Sequence, residues 1–433
     1  MLKKISPNLR KIIGNTAWLF GEKILQLFLG LFIGVWVARY LGPENFGVYN
    51  YIIAIVVLFG VFARLGLEQI IVRDISRDIE QKNETLGTGF VLRISASLVS
   101  TAAVIIFALN SQQNELQIYL LVGIFSLASS FSRGTEMIEY WFQSQVQSKY
   151  VVWAKNIIYI AINLTKVFAI QQQASLFVFV LIISVEQVLT AIGLAIVYQI
   201  TGSKLSAWRF SLDRARSLLK ASWPLILAEI VIIIYMRIDQ IMLAEMVDST
   251  AVGIYSAAVK ISEMWYFVPI AIINSVYPSI VQGKDLGDRI YYGRIQKLFG
   301  IVVLVGYAAA IPTTFLSSFV VNLIYGVQYA DAANVLTIHI WAGLFVGLGV
   351  ARTTWLTTED LTKFAAVTTA LGALVNIVLN TLWIGTYGGT GAAVATVISQ
   401  IVASYLSGLF FPPTRPIFWR QTKAILLIGW FDR

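Results

Sequence analysis

Ala38-Arg39-Tyr40-Leu41-Gly42-Pro43-Glu44-Asn45-Phe46-Gly47-Val48-Tyr49 joins two long apolar runs, residues 12–38 and 46–71. A helix needs about 20 apolar residues to cross the hydrocarbon core of a bilayer, and both runs exceed that. Only residues 39–45 remain between them, enough for a short turn. The pair is therefore expected to be two consecutive membrane crossings, and the rest of the chain repeats the pattern.

Ten further segments of comparable length follow, at 86–109, 116–142, 151–170, 175–200, 217–243, 252–281, 295–320, 334–357, 364–384 and 390–411. Hydrophobic residues make up 58% of the 433 and charged residues 13%, against about 25% charged in an ordinary soluble protein. Mean hydropathy is +0.75. A soluble fold has too little interior for so much apolar surface, so lipid must act as solvent for the remainder. The sequence predicts an all-α polytopic membrane protein with 12 transmembrane helices and no inserted soluble domain. The basic start, MLKKISPNLRK, runs into an apolar stretch without a small-residue cleavage site, which predicts a retained first helix rather than a signal peptide. With no cysteine in the chain, disulfide frameworks, thiolate metal sites and cysteine nucleophiles are excluded.

The net charge is +9, from 32 Lys and Arg against 23 Asp and Glu. Lys and Arg are retained in cytoplasmic connections. Segments 1–11, 72–93, 132–155, 201–220, 282–297, 352–363 and 412–433, which reach a few residues into the neighbouring spans, hold 26 of the 32 cations. The opposite connections hold Arg39 alone, and the remaining five lie deeper within spans. That partition predicts cytoplasmic termini. Inner-leaflet phosphates suffice as counter-ions for the 26, and no nucleic-acid partner is called for.

The chain also repeats itself. Phe46-Gly47-Val48-Tyr49 after the first helix is matched by Val252-Gly253-Ile254-Tyr255 after the seventh, 206 residues later. Six crossings separate the two, an even number, so the halves share one orientation, as in transporters built from paired lobes. The expected organisation is a six-helix lobe over 1–200, a cytoplasmic basic linker over 201–220, a second six-helix lobe over 221–411, and a short cytoplasmic or interfacial tail over 412–433.

At Arg39, Gly42, Pro43, Gly47 and Tyr49, and again at Arg237-Ile238-Asp239-Gln240-Ile241-Met242-Leu243 with Gly253 and Tyr255, the sequence resembles the Wzx-type oligosaccharide flippases. A weaker match is Trp141-Phe142-Gln143. These flippases are the polysaccharide transporter branch of the MOP superfamily, which also holds the MATE drug exporters and the lipid II flippases. The resemblance implies a V-shaped, MATE-like pair of lobes that moves a lipid-linked oligosaccharide by alternating access. Some relatives carry two further helices, for which no segments are predicted here.

Burying an ionised group at mid-bilayer costs from about 2.5 kcal/mol upward, so charges inside spans are candidates for function. Lys23, Arg64, Arg237 and Lys260 come from helices 1, 2, 7 and 8, equivalent places in the two repeats, and are expected to line one cationic cavity. The competing reading is pairing along one helix face, Arg64 with Glu68 and Lys260 with Glu263. Helix 4 either runs through Gln143, giving Arg133, Glu136 and Glu139 a common polar face, or ends near Phe131 and leaves them in a loop. Lys166 is expected to snorkel to the headgroups. The acids Glu22, Glu68, Glu139, Glu186, Glu229 and Asp239 are candidates for coupling, because a desolvated carboxylate can titrate near neutrality. Glu229 has no cation close in sequence and is the first choice for a protonatable group, while Asp239 can balance Arg237. His339, the only histidine, is expected to be a satisfied core residue. No metal-ligand cluster and no phosphate loop appear.

The function predicted is a flippase for undecaprenyl-diphosphate-linked oligosaccharide in cell-surface polysaccharide biosynthesis, placed in a bacterial inner membrane among membrane lipids. It would be no enzyme and would need no cofactor, with H+ or Na+ coupling as the driving force. A polysaccharide polymerase and a chain-length regulator are the implied partners. The alternative is a cation-coupled MATE-type multidrug exporter, and a lesser one a membrane polysaccharide polymerase or ligase.

Overall fold

The computed structural model describes residues 7–111 and 116–428, with side chains from Gly14 onward. Both ends of the chain, including Lys3, Lys4, Trp430 and Arg433, lie outside the described residues, as do the side chains of Arg10 and Lys11. Among the described residues every regular element is helical. The order begins α1 (Pro7–Arg64), α2 (Leu67–Arg77), α3 (Lys82–Leu109), α4 (Leu116–Ser144), α5 (Lys149–Gln171) and α6 (Leu176–Ile200). It continues with α7 (Leu212–Met246), α8 (Ser249–Met264), α9 (Phe267–Asp285), α10 (Asp288–Ile324) and α11 (Ala332–His339). The last are α12 (Ala342–Thr358), α13 (Thr362–Ile401), α14 (Ser407–Phe410) and α15 (Arg415–Ile425).

Ten helical stretches among the described residues are long and apolar enough to cross a membrane. Two of them, Gly14–Arg77 with 64 residues and Thr362–Phe410 with 49, are about two to three times the length that one crossing requires. Each breaks at a glycine whose backbone is non-helical, Gly42 (φ 73°) and Gly388 (φ 55°). At the first break the cause is local. Gly42 adopts a positive φ without a Cβ penalty, and Pro43 both lacks an N–H and disfavours helix in the residue before it. The turn expected at 39–45 is thus a break inside α1 rather than a loop.

The contacts divide the chain into two units. The first comprises residues 1–41 and 51–233, the second 42–50 and 234–433. In the first, α4 packs on α3 and α6, and α5 on α6, around a core that includes Leu67, Ile71, Met137 and Leu194. The basic segment 201–220 is fastened to this unit. Arg209 N–H donates to Asn83 O (3.1 Å), and Arg214 pairs with Asp74 (2.9 Å). In the second unit, α10 packs on α9, α11 and α12 around Ile273, Leu298, Phe299 and Leu348.

A one-turn π-helix, Val402–Leu406, follows α13. Its displaced carbonyls find side chains: Arg352 Nη2 donates to Ala403 O (2.7 Å) and Gln421 Nε2 to Ser404 O (3.2 Å). Gln421 belongs to α15, in the segment expected to be an interfacial tail. That helix docks on α10, with Ile417, Gln421 and Ala424 fully buried and Trp419 exposed.

Candidate functional site

The first unit holds a cluster of charges at a helix break. Between α1 and α2, Leu65 and Gly66 are both left-handed (φ 57° and 55°), so the carbonyls ending α1 lose their helical partners. Arg93 of α3 supplies one. Its Nε and Nη2 donate to Arg64 O at 3.2 and 3.1 Å, and its Nη1 donates to Arg133 O at 3.2 Å. The same Nη1 forms an ion pair with Glu136 on α4. At 1% exposure, this guanidinium ties three helices together.

Helix α4 runs through Ser144, so Arg133, Glu136 and Glu139 are helical rather than in a loop. Arg133 Nη2 donates to Val56 O (3.1 Å), passing where Gly60 has no side chain. Its Nη1 is buried and has no acceptor. Arg64 and Arg93 are both close enough to repel it. Glu229, on α7, is half-buried and lies in the field of Arg64 and Arg93, with Oε2 lacking a donor. The absence of a cation near Glu229 in sequence is therefore made good in space. Glu68 also acts on Glu229 from the first turn of α2, on the far side of the break from Arg64. That break removes the regular four-residue spacing on which their expected pairing depended.

A second group lies in the same unit. Lys155 Nζ on α5 sits 3.1 Å from both oxygens of Glu139, and Glu22 and Glu136 also act on it. Glu22 is buried and accepts from Gln26 Nε2 (3.1 Å). Lys166, expected to snorkel, instead lies 3.8 Å from Glu186 on the neighbouring α6. Lys23 is exposed and Arg39 lies at the end of the same run, also exposed.

The second unit cages one carboxylate. Asp239 of α7 accepts from Tyr255 OH (2.5 Å), Thr396 Oγ1 (2.7 Å) and Asn380 Nδ2 (2.6 Å). Asn380 Nδ2 also donates to Asn376 Oδ1 (3.1 Å), while the buried Asn380 Oδ1 has no donor. Neutral donors, rather than Arg237, thus satisfy Asp239. Arg237 acts instead on Glu263, and Lys260 is half-buried on α8. His339 Nδ1 lies 3.0 Å from Ser262 Oγ in a buried position. Of the repeated motif, Tyr255 is a ligand of the caged carboxylate, whereas Tyr49 stacks on Phe46 (6.4 Å). No group of three His, Asp or Glu able to hold a metal occurs among the described residues.

Arg93, Lys155, Arg352, Asn376, Asn380 and Thr396 carry these arrangements and were not singled out from sequence. The three cations were counted with the cytoplasmic connections, because each lies within a few residues of the end of an apolar run. The amides had a readable signal: Asn376 and Asn380 are one turn apart inside an apolar run, on one helix face.

These helices and buried charges define a multi-pass membrane protein with the fold of MOP superfamily transporters. Residues 12–284 match the polysaccharide biosynthesis protein family, and the chain belongs to that family; residues 224–382 also match the MatE family. Among curated proteins it is similar to "Probable flippase AglR" of Haloferax volcanii, 25% identical over 92% of this chain and 83% of the relative. A second relative there, "Probable low-salt glycan biosynthesis flippase Agl15", is 22% identical over 51% of this chain and 46% of its own length. Among solved structures it resembles the lipid II flippase MurJ in an inward closed conformation, with TM-score 0.73, 16% identity and coverage of 96% and 91%. An inward-facing MATE multidrug transporter gives TM-score 0.68, 13% identity and coverage of 92% and 96%.

Proposed function

We propose that this chain is a flippase that carries undecaprenyl-diphosphate-linked oligosaccharide from the cytoplasmic to the outer leaflet of the plasma membrane by alternating access. On this reading the chain crosses twelve times with both termini cytoplasmic, which the partition of 26 cations to one supports. A polysaccharide polymerase and a chain-length regulator would then act on the exported unit.

The observation that carries the proposal is the unpartnered Nη1 of Arg133, buried beside Arg64 and Arg93. A buried donor without an acceptor is costly. Diphosphate oxygens are acceptors of the right charge, and bonds from guanidinium to phosphate are the stronger, charge-assisted kind. Glu136 is already engaged by Arg93, so Arg133 and Arg64 are the groups offered to the headgroup. The names of the two Haloferax volcanii relatives support a flippase, and the fold supports alternating access.

Two acids compete as the coupling group, Glu229 and Asp239. We assign coupling to Asp239 and to a co-transported proton or sodium ion. The buried Asn380 Oδ1 has no donor, which leaves an acceptor beside the carboxylate for such an ion. Amide and hydroxyl oxygens beside one carboxylate are hard donors suited to such an ion.

The MatE match over 224–382 favours a second reading, a cation-coupled multidrug exporter. A cationic drug would meet Arg64, Arg93 and Arg133 with the wrong sign. Thermal stabilisation of the purified chain by undecaprenyl diphosphate, compared with undecaprenol, separates the two. A shift confined to the diphosphate and lost in Arg133→Gln is expected; equal shifts with both lipids would refute the anion site.

A further inference from the structure

The second unit contains a groove that the diphosphate and coupling sites leave unused. It is an open groove between α9 and α12 of about 390 Å³. Its polar wall is made by Asn274, Tyr277, Thr353, Thr354 and Thr357, over an apolar floor that includes Ile273. Asn274, Thr353 and Thr357 are exposed. An amide presented to hydrocarbon without a partner is costly, so a polar wall on two apolar helices calls for water or a polar ligand against it.

The chemistry of that wall is specific in three respects. No acid or base lines the groove. Arg352, next to Thr353 on α12, is buried and directs its guanidinium to Ser407 Oγ (2.9 Å), Thr368 Oγ1 (3.0 Å) and Ala403 O (2.7 Å), while Lys284 and Glu359 pair with each other at 3.3 Å. A phosphate or a cationic drug therefore finds no counter-charge here. Second, the threonine protons are already committed: Thr353 donates to Gly349 O (3.0 Å), Thr354 to Ala351 O (2.6 Å) and Thr357 to Thr353 O (2.9 Å). Their oxygens keep lone pairs, so the wall offers acceptors to a ligand rich in hydroxyl donors. Third, Asn274 adds two donors and an acceptor, and Tyr277 adds an aromatic surface with a polar tip. A few placed polar groups beside an aromatic ring and an apolar floor form a small-ligand site, and a neutral polyhydroxyl ring matches all of them.

We propose that this groove is a subsite for the neutral glycan of the transported lipid, an assignment that rests on the flippase function above. Its uncharged, acceptor-rich lining lets the groove distinguish a glycosylated carrier from a bare one.

The test compares two probes with the full chain in lipid nanodiscs: undecaprenyl diphosphate, and the lipid-linked oligosaccharide fraction extracted from the source cells. Wild type should bind the second at least tenfold more tightly. The combined Asn274→Leu, Thr353→Val and Thr357→Val variant should bind the bare carrier as wild type does and lose the preference. Equal binding of both probes by wild type, or an undiminished preference in the variant, overturns the subsite. A second measurement is independent of the carrier. The chain has no cysteine, so Thr357→Cys gives a single labelling site for a membrane-impermeant maleimide. Oligosaccharide released from the lipid by mild acid should slow labelling at least fivefold; unchanged labelling overturns the subsite. If neither lipid binds yet the free oligosaccharide protects, the flippase assignment fails and the groove stands.

Discussion

Gly47 and Gly253 press against each other's incoming chain. A Cβ added at Gly47 would overlap the carbonyl oxygen of Ser249, and one added at Gly253 would overlap that of Pro43. The contact is reciprocal, as the repeat that contains both residues requires, and it lies wholly within the second unit. The glycines of the repeated motif therefore serve close backbone approach rather than ligand binding.

Alanine at either position must force the two helix starts apart. Overpacking of this kind costs about 1–3 kcal/mol, and Gly47→Ala and Gly253→Ala should lower the unfolding midpoint in detergent by similar amounts. Gly385→Ala is the control, because its added methyl meets nothing within 4 Å. There the midpoint should hold or rise slightly, since alanine is the better helix former by about 1 kcal/mol.

Arg93 offers a second test. Removing one member of a buried ion pair costs about 3–5 kcal/mol, because the other charge is left unpaired. Arg93→Met should show a loss of that size and also free the Arg64 carbonyl. Adding Glu136→Gln should recover part of it, and a double-mutant cycle on unfolding measures how much. Arg216→Ala, which removes an exposed pairing with Asp213 at 3.7 Å, should change stability by less than about 1 kcal/mol.

Much of the fold could be read one-dimensionally, and these charges show where that stopped. Apolar runs near twenty residues long mark helices without knowledge of neighbours, and most segments expected to span fall within one helix. Segments 46–71, 252–281 and 334–357 run across breaks at 65–66, 265–266 and 340–341, and 390–411 continues from α13 through the π-turn into α14. Arg93, Lys155 and Arg352 resisted the same approach because charge counting assigns a cation near the end of an apolar run to a connection. Each instead lies inside a helix, and only packing reveals its partner: Glu136 for Arg93, Glu139 for Lys155, and the π-turn carbonyl for Arg352. The spacing of Arg133, Glu136 and Glu139 was visible in sequence, but whether the helix reached them was not. Asp239 was singled out as a polar group inside a span, with Arg237 as its balancing charge, and the structure gives it neutral donors instead. Its three donors come from positions 16 to 157 residues away.

Asp239→Asn keeps the shape of the cage and removes its charge. In proteoliposomes, an imposed proton or sodium gradient should accelerate wild-type transport and leave Asp239→Asn at its ungraded rate. Glu229→Gln should keep its response to the gradient. The reverse pattern would move the coupling site to Glu229.

Arg133 carries the central claim, that an unpartnered guanidinium in the first unit receives the diphosphate. The most direct measurement reconstitutes wild type and Arg133→Gln at matched amounts in proteoliposomes loaded with the extracted lipid-linked oligosaccharide. The fraction of oligosaccharide reaching the opposite leaflet is read by its susceptibility to an added glycosidase. Wild type should expose the oligosaccharide steadily, and Arg133→Gln should fall at least tenfold with unchanged folding. Transfer by Arg133→Gln at the wild-type rate would contradict the claim.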